Sequence, residues 1–176
     1  MPRKKNIMVK KLVIGSVFAL GFLMAGQLAS AQTKLERPAK TGIQAVDDFA
    51  TKSFDSYDES GKITEAINEV KVKTNAQGKA ESVTNEKDEP LTKENAVTKL
   101  TTLAERLKKQ EVNVSKVKEY QQPATDALKS CSMLQKPKAT KAITKSGEAL
   151  TKVTDETTKQ LEMVNQKLAF VKTLKK

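Results

Sequence analysis

Apolar residues run almost unbroken from Leu12 to Ala25; beyond residue 32, apart from the four-residue run Leu168–Val171, they recur singly or in pairs, at helical spacing. The change of pattern divides the chain into a leader and a helical body. The body is read most clearly in its last segment, Lys138 to Leu174. There Ile143, Ser146, Leu150, Val153, Thr157, Leu161, Val164, Leu168, Val171 and Leu174 follow one another in steps of three or four, which lays a single stripe along one face of a helix. Two successive four-residue steps around Thr157 form a stutter that relaxes supercoiling locally. A rise of about 1.5 Å per residue makes this helix over about 50 Å long, a length natural in a bundle.

The middle segment, 92–135, opens on Pro90, then Thr92 as N-cap, then Glu94 in the first turn, where the helix dipole favours an acid. Val97, Leu100, Leu103, Ala104 and Leu107 form its apolar face, continued by Val114, Val117, Gln121, Ala124, Leu128 and Cys131. "QEVNV" at 110–114 and Pro123 are its weak points, because proline either kinks a helix or starts a new one. The pattern is that of one kinked helix or two shorter ones, with "LQKPK" turning into the last. The first segment, about 40–72, carries Ile43, Val46, Ala50, Phe54, Tyr57, Ile63, Ile67 and Val70. "DESGK" at 58–62 is expected to bend or split it. Residues 73–91 read as a long polar loop, in which Gln77-Gly78 between Val72 and Val83 suits a small hairpin. Long loops are also common places for binding sites.

The leader has three parts. Arg3, Lys4, Lys5, Lys10 and Lys11 precede the apolar run, and Ala29-Ser30-Ala31 closes it with small residues. This is the order of a secretory signal, with cleavage expected between Ala31 and Gln32. A spanning helix wants about 20 apolar residues, so an uncleaved anchor fits less well. Met8 is a second plausible start, since "MVKKL" alone supplies a basic end. The expected organisation is therefore a signal peptide (1–31), a linker (32–39) and one bundle domain (40–176).

Charge changes the picture once the leader is set apart. The 32 basic residues include five in the leader, so 27 remain against 21 acids, a net of +6 rather than +11. Residues 32–97 hold 10 basic and 13 acidic groups, and residues 98–176 hold 17 and 8. The basic half suggests an anionic partner or self-complementary packing. Aromatics are few (Phe49, Phe54, Tyr57, Tyr120 and Phe170 after the leader) and Trp is absent. That, with the expected export, disfavours nucleic acid as a partner, since readers of single strands need stacking platforms for the bases. Cys131 is the only cysteine. In core register it reads as a small buried hydrophobe, with an intermolecular disulfide or a reactive thiol as the alternative.

The chain has no His, which removes Glu-x-x-His metal pairs, His-ligated haem, most zinc sites and His-dependent nucleophiles. No phosphate-cradling glycine motif occurs. The acids Asp47, Asp48, Asp55, Asp58 and Glu59 miss calcium-loop spacing and read as a solvated helix face. No catalytic residues, metal or cofactor are expected. The sequence thus predicts an all-α protein: an elongated, coiled-coil-like antiparallel bundle of three to four helices behind a cleaved signal peptide. Its expected role is a non-catalytic binding, adaptor or structural component of the bacterial envelope, periplasmic or secreted, associating with a protein partner or itself through helical faces. Two rivals are a binder of anionic envelope surfaces (lipid headgroups or lipopolysaccharide) and a carrier or chaperone for apolar cargo. Lys141, Lys145, Lys152, Lys159 and Lys167 fall off the stripe of the last segment and leave a basic outer face; of these, Lys141, Lys145, Lys152 and Lys159 are the candidate contacts for the anionic surface.

Overall fold

The computed structural model describes residues 34–174, and they are mostly helical. The signal segment and the Ala31–Gln32 junction lie outside the described residues. In chain order the elements are α1 (Gln44–Asn68), β1 (Lys71–Thr74), β2 (Ala80–Thr84), α2 (Lys93–Lys118), α3 (Gln121–Ser130) and α4 (Lys136–Thr173).

Local chemistry sets most of these boundaries. Thr92 is the N-cap of α2, its side chain accepting from the Asn95 amide at 3.2 Å, which satisfies one orphan donor of the first turn. Lys116 and Lys118 occupy the last turn, at the negative end of the dipole. At the start of α1 Asp47 reaches back, accepting from the Thr41 and Gly42 amides at 2.7 and 3.0 Å and from Thr41 Oγ1 at 2.8 Å. Partial burial opposes ionisation of Asp47, but these hydrogen bonds outweigh it and hold the carboxyl below its usual range. Gly42 (φ +81°) supplies the left-handed turn into the helix. Pro137 stands in the first turn of α4, where its missing N–H costs nothing.

One expectation is overturned here, and two that stood open are resolved. "DESGK" does not split α1, which runs through Gly61 as one helix. The glycine costs about 1 kcal/mol in propensity, while its neighbours Ser60 and Ile63 are fully buried and keep the turn packed. The segment 92–135 is two helices, but the break falls at Glu119–Tyr120 and not at "QEVNV". Gln110 and Val114 are buried there, so that stretch packs as ordinary helix, and Pro123 lies in the first turn of α3. Gln121 accordingly leaves the apolar face and is exposed, because the helix restart resets the register. Finally, the hairpin expected around Gln77-Gly78 forms within 73–91, which is otherwise largely exposed. β1 and β2 pair antiparallel, with Val72 opposite Val83, and Val83 is buried in the core.

That hairpin region uses one turn twice. Asn75 Oδ1 accepts from the Gln77 and Lys79 amides, and Asn85 Oδ1 accepts from the Lys87 and Glu89 amides, all at 2.9–3.1 Å. The fourth residue of each turn, Gly78 or Asp88, has positive φ. An asparagine side chain that bonds its own following backbone makes such turns without help from the rest of the fold. The second turn brings Pro90 beside Thr84 and lets the Leu91 amide donate to Val83 O at 2.9 Å.

The three long helices run up, down and up. Ser56 meets Asn113 and Glu59 meets Arg106, so α1 and α2 are antiparallel. Gln110 meets Thr157 and Lys93 meets the α4 terminus, so α2 and α4 are antiparallel as well. Ser60 meets Gln160 while Ile67 meets Lys167, which makes α1 and α4 parallel. The wholly antiparallel arrangement expected from the sequence therefore holds for two of the three long seams. The short α3 carries the chain between α2 and α4.

The interior is divided. One core gathers Ile63, Ile67, Val70, Val83, Leu100, Leu107, Val164 and Val171 at the hairpin end. The other gathers Val46, Phe49, Val114, Val117, Ala124, Ala139, Leu150 and Val153 at the α3 end. Between them lies a buried polar layer: Ser53, Ser56 and Ser60 from α1, Gln110 from α2, Thr157 and Gln160 from α4.

Candidate functional site

The four lysines singled out on α4 fall on its outer side. Lys141 and Lys159 are exposed, and Lys145 and Lys152 are half-buried. Lys145 Nζ donates to Glu36 O at 3.4 Å, which pins the extended segment 34–41 alongside α4. Residues seven apart, or four apart, share a helix face, so the four form one row. The row is not uniformly basic. Glu148, Asp155, Glu156 and Glu162 stand three or four positions from Lys152 or Lys159, and neighbours at that spacing offset one another.

The uncompensated charge lies instead at the beginning of the row. From residue 127 to residue 147 the chain has no acid and five lysines: Lys129, Lys136, Lys138, Lys141 and Lys145. This stretch covers the end of α3, the turn and the first three turns of α4, all at one end of the bundle. Among them Lys129 is paired, with Asp126 at 2.7 Å. Asp126 is held below its usual range by that bond first and by Gln122 second. Lys136, Lys138 and Lys141 are exposed and make no ion pair among the described residues. Asp47 and Asp48 are the acids that begin α1 at this end; the first is spent on Thr41 and Gly42, the second accepts from Gln44 at 2.6 Å.

At the apex of this end stand Met133 and Leu134, 82% and 93% exposed. They occupy the turn between α3 and α4, whose base is closed by the Gln135 and Lys136 amides donating to Ser132 O at 3.0 and 3.1 Å. Ser132 Oγ also donates to Gln135 Oε1 at 2.9 Å. Cys131, just before the turn, is half-buried, with Sγ directed at Leu128 O at 3.3 Å, a less complete burial than its register suggested.

Lys167 is a correction. Its place off the α4 stripe suggested another member of the basic outer face, but it is half-buried, and Nζ donates to Ile67 O at 2.6 Å and Val70 O at 2.5 Å. α1 has no basic residue in its own last turn; α4 supplies the cation that the negative end of that dipole favours. Burial pushes the Lys167 amine down to about 8. Lys93 performs the same service for α4, donating to Leu174 O at 2.6 Å.

The acid-rich stretch of α1 is occupied with structure. Arg37 bonds Asp55 and Asp58 at 2.7 and 3.0 Å, and Arg106 bonds Glu59 at 2.7 Å. Arg37 also lies 5.8 Å over the Phe54 ring. Two concavities, of about 350 and 450 Å³, are open surface grooves lined mainly by lysine, threonine and other polar side chains. No family model, curated protein or solved structure matches this chain.

Proposed function

We propose that this protein is an exported, non-catalytic component of the bacterial envelope that docks on an anionic surface through the α3–α4 end of its bundle. The observation that carries the reading is the acid-free stretch 127–147, with Lys136, Lys138 and Lys141 exposed and without an ion pair among the described residues, at one end of a rod. Such a cluster is attracted to phosphate-rich headgroups at roughly 1 kcal/mol per lysine near the surface, and the attraction falls away within a Debye length. Export is supported by the basic, apolar and small-residue order of residues 3–31.

Association through an apolar helical seam, the other reading of the sequence, has less to use. The apolar stripes of α1, α2 and α4 are turned into the two cores, and the large apolar side chains exposed among the described residues are Val112, Tyr120, Met133 and Leu134. A carrier of apolar cargo is likewise poorly served by grooves lined with lysine and threonine.

The test is co-sedimentation with vesicles, using the chain from Gln32 onward. Every residue of both cores lies between Val46 and Val171, so that chain retains the whole interior. Binding is expected to vesicles containing phosphatidylglycerol, to weaken at least tenfold between 50 and 500 mM salt as the charges are screened (about a tenth of the affinity for 1.4 kcal/mol lost), and to fail on neutral phosphatidylcholine. Replacing Lys136, Lys138 and Lys141 together by Gln should weaken it by a further order of magnitude or so. Equal binding by that variant and the parent would count against this end as the docking surface.

A further inference from the structure

We infer that Met133 and Leu134 insert into the apolar layer of a lipid bilayer, so that the anionic surface this end recognises is a membrane. The inference rests on the docking reading above and adds to it the kind of surface. Four large apolar side chains are exposed among the described residues, Val112, Tyr120, Met133 and Leu134; the last two, adjacent in sequence, are the most exposed of them. The turn that carries them is built, not slack. Two amides and a side-chain hydrogen bond close on Ser132, leaving positions 133 and 134 at the apex with their side chains outward. Gln135, at the foot of the turn, lies near Gly42, just before the start of α1.

What surrounds the pair selects the partner. Lys129, Lys136, Lys138 and Lys141 stand within eight residues of it on both sides, with no acid between residues 127 and 147. A protein groove that took a Met-Leu pair would set apolar residues around it, whereas a bilayer offers phosphates around an apolar layer. Lysine stems reach from an apolar depth back to the charged headgroups. Apolar insertion and headgroup attraction then act together, as in interfacial anchors that need two signals for stable attachment.

The chain has no Trp, so Leu134→Trp gives a single reporter at the apex, and Val112→Trp, on the exposed face of α2, gives a control. With phosphatidylglycerol vesicles the apex reporter is expected to shift to the blue and to be quenched by lipids brominated on the acyl chain, while the control stays unchanged. Met133→Ser/Leu134→Ser, at exposed positions whose loss leaves both cores intact, should bind such vesicles roughly tenfold more weakly or worse with an unaltered melting curve. If the parent binds anionic vesicles and the double-serine variant binds equally, insertion is refuted while docking stands. If the parent does not bind them at all, both fall. If the serine variant instead turns a dimer into a monomer in the absence of lipid, the pair is a self-association contact and the inference is wrong.

Discussion

Gln160→Ala is expected to cost about 3 kcal/mol of stability, from the cavity it leaves and the hydrogen bonds it removes. Gln160→Met is expected to stay within about 1 kcal/mol of the parent. Gln160 is fully buried, and its Nε2 donates to Ser60 O at 2.9 Å and Thr64 Oγ1 at 2.7 Å, with Ser60 Oγ at 3.3 Å. Its Oε1 has no partner among the described residues. Methionine fills the same length and removes the unpaired oxygen with the donor. The groups it abandons keep other bonds: Thr64 Oγ1 donates to Ser60 O, and Ser60 Oγ to Glu156. Urea denaturation of the three proteins measures the difference; an alanine variant as stable as the parent would mean the layer is not packed as described. We hypothesise that the polar layer contributes register more than stability. It ties residue 60 of α1 to residue 160 of α4, and that pairing aligns the start of α1 with the turn before α4, where Gln135 lies near Gly42.

Raising the pH from 7.5 to 9.5 should stabilise the protein by about 2 kcal/mol through Lys167, less whatever the carbonyl bonds recover. The sign follows from the direction of the shift. Burial lowers the amine to about 8 in the folded chain, from 10.5, so between these values the unfolded chain binds more protons than the folded one. Stability that depends on this group therefore rises with pH across that window, and the cost of burying the ammonium is fully present below it. Lys167→Met removes the titrating group, so its urea midpoint should lack the rise that the parent shows. A parallel pH response in both proteins would place the effect elsewhere. The same variant also leaves Ile67 O and Val70 O without the ammonium, which isolates the capping role at low pH.

How far the sequence led can be traced through particular residues. The α4 stripe was legible because packing here obeys simple periodicity: Ser146, Leu150, Val153, Thr157, Val164 and Val171 are all buried. Thr92 was legible because capping is local chemistry. Gln110 and Gln160 were not, since a glutamine in core register looks like a break until its partners on other helices are known. Lys167 was misread for the same reason, though it follows Gln160 by seven positions and Val164 by three, a spacing that sets it at the edge of the buried stripe. The Asn75 and Asn85 turns repeat a geometry rather than a sequence, with glycine in one and aspartate in the other. As for the site, the row Lys141, Lys145, Lys152 and Lys159 was found by counting bases alone. Counting the interleaved acids as well moves the uncompensated charge to residues 127–147, and only coordinates reveal that Met133 and Leu134 project from the middle of it.

The proposed docking through the α3–α4 end is read directly by backbone amide chemical shifts. Titrating bicelles that contain phosphatidylglycerol into the isotope-labelled chain from Gln32 should perturb amides between residues 127 and 147 and leave α2 from residue 93 to residue 107 in place. Perturbations centred on the hairpin, or spread evenly along all three long helices, would contradict it.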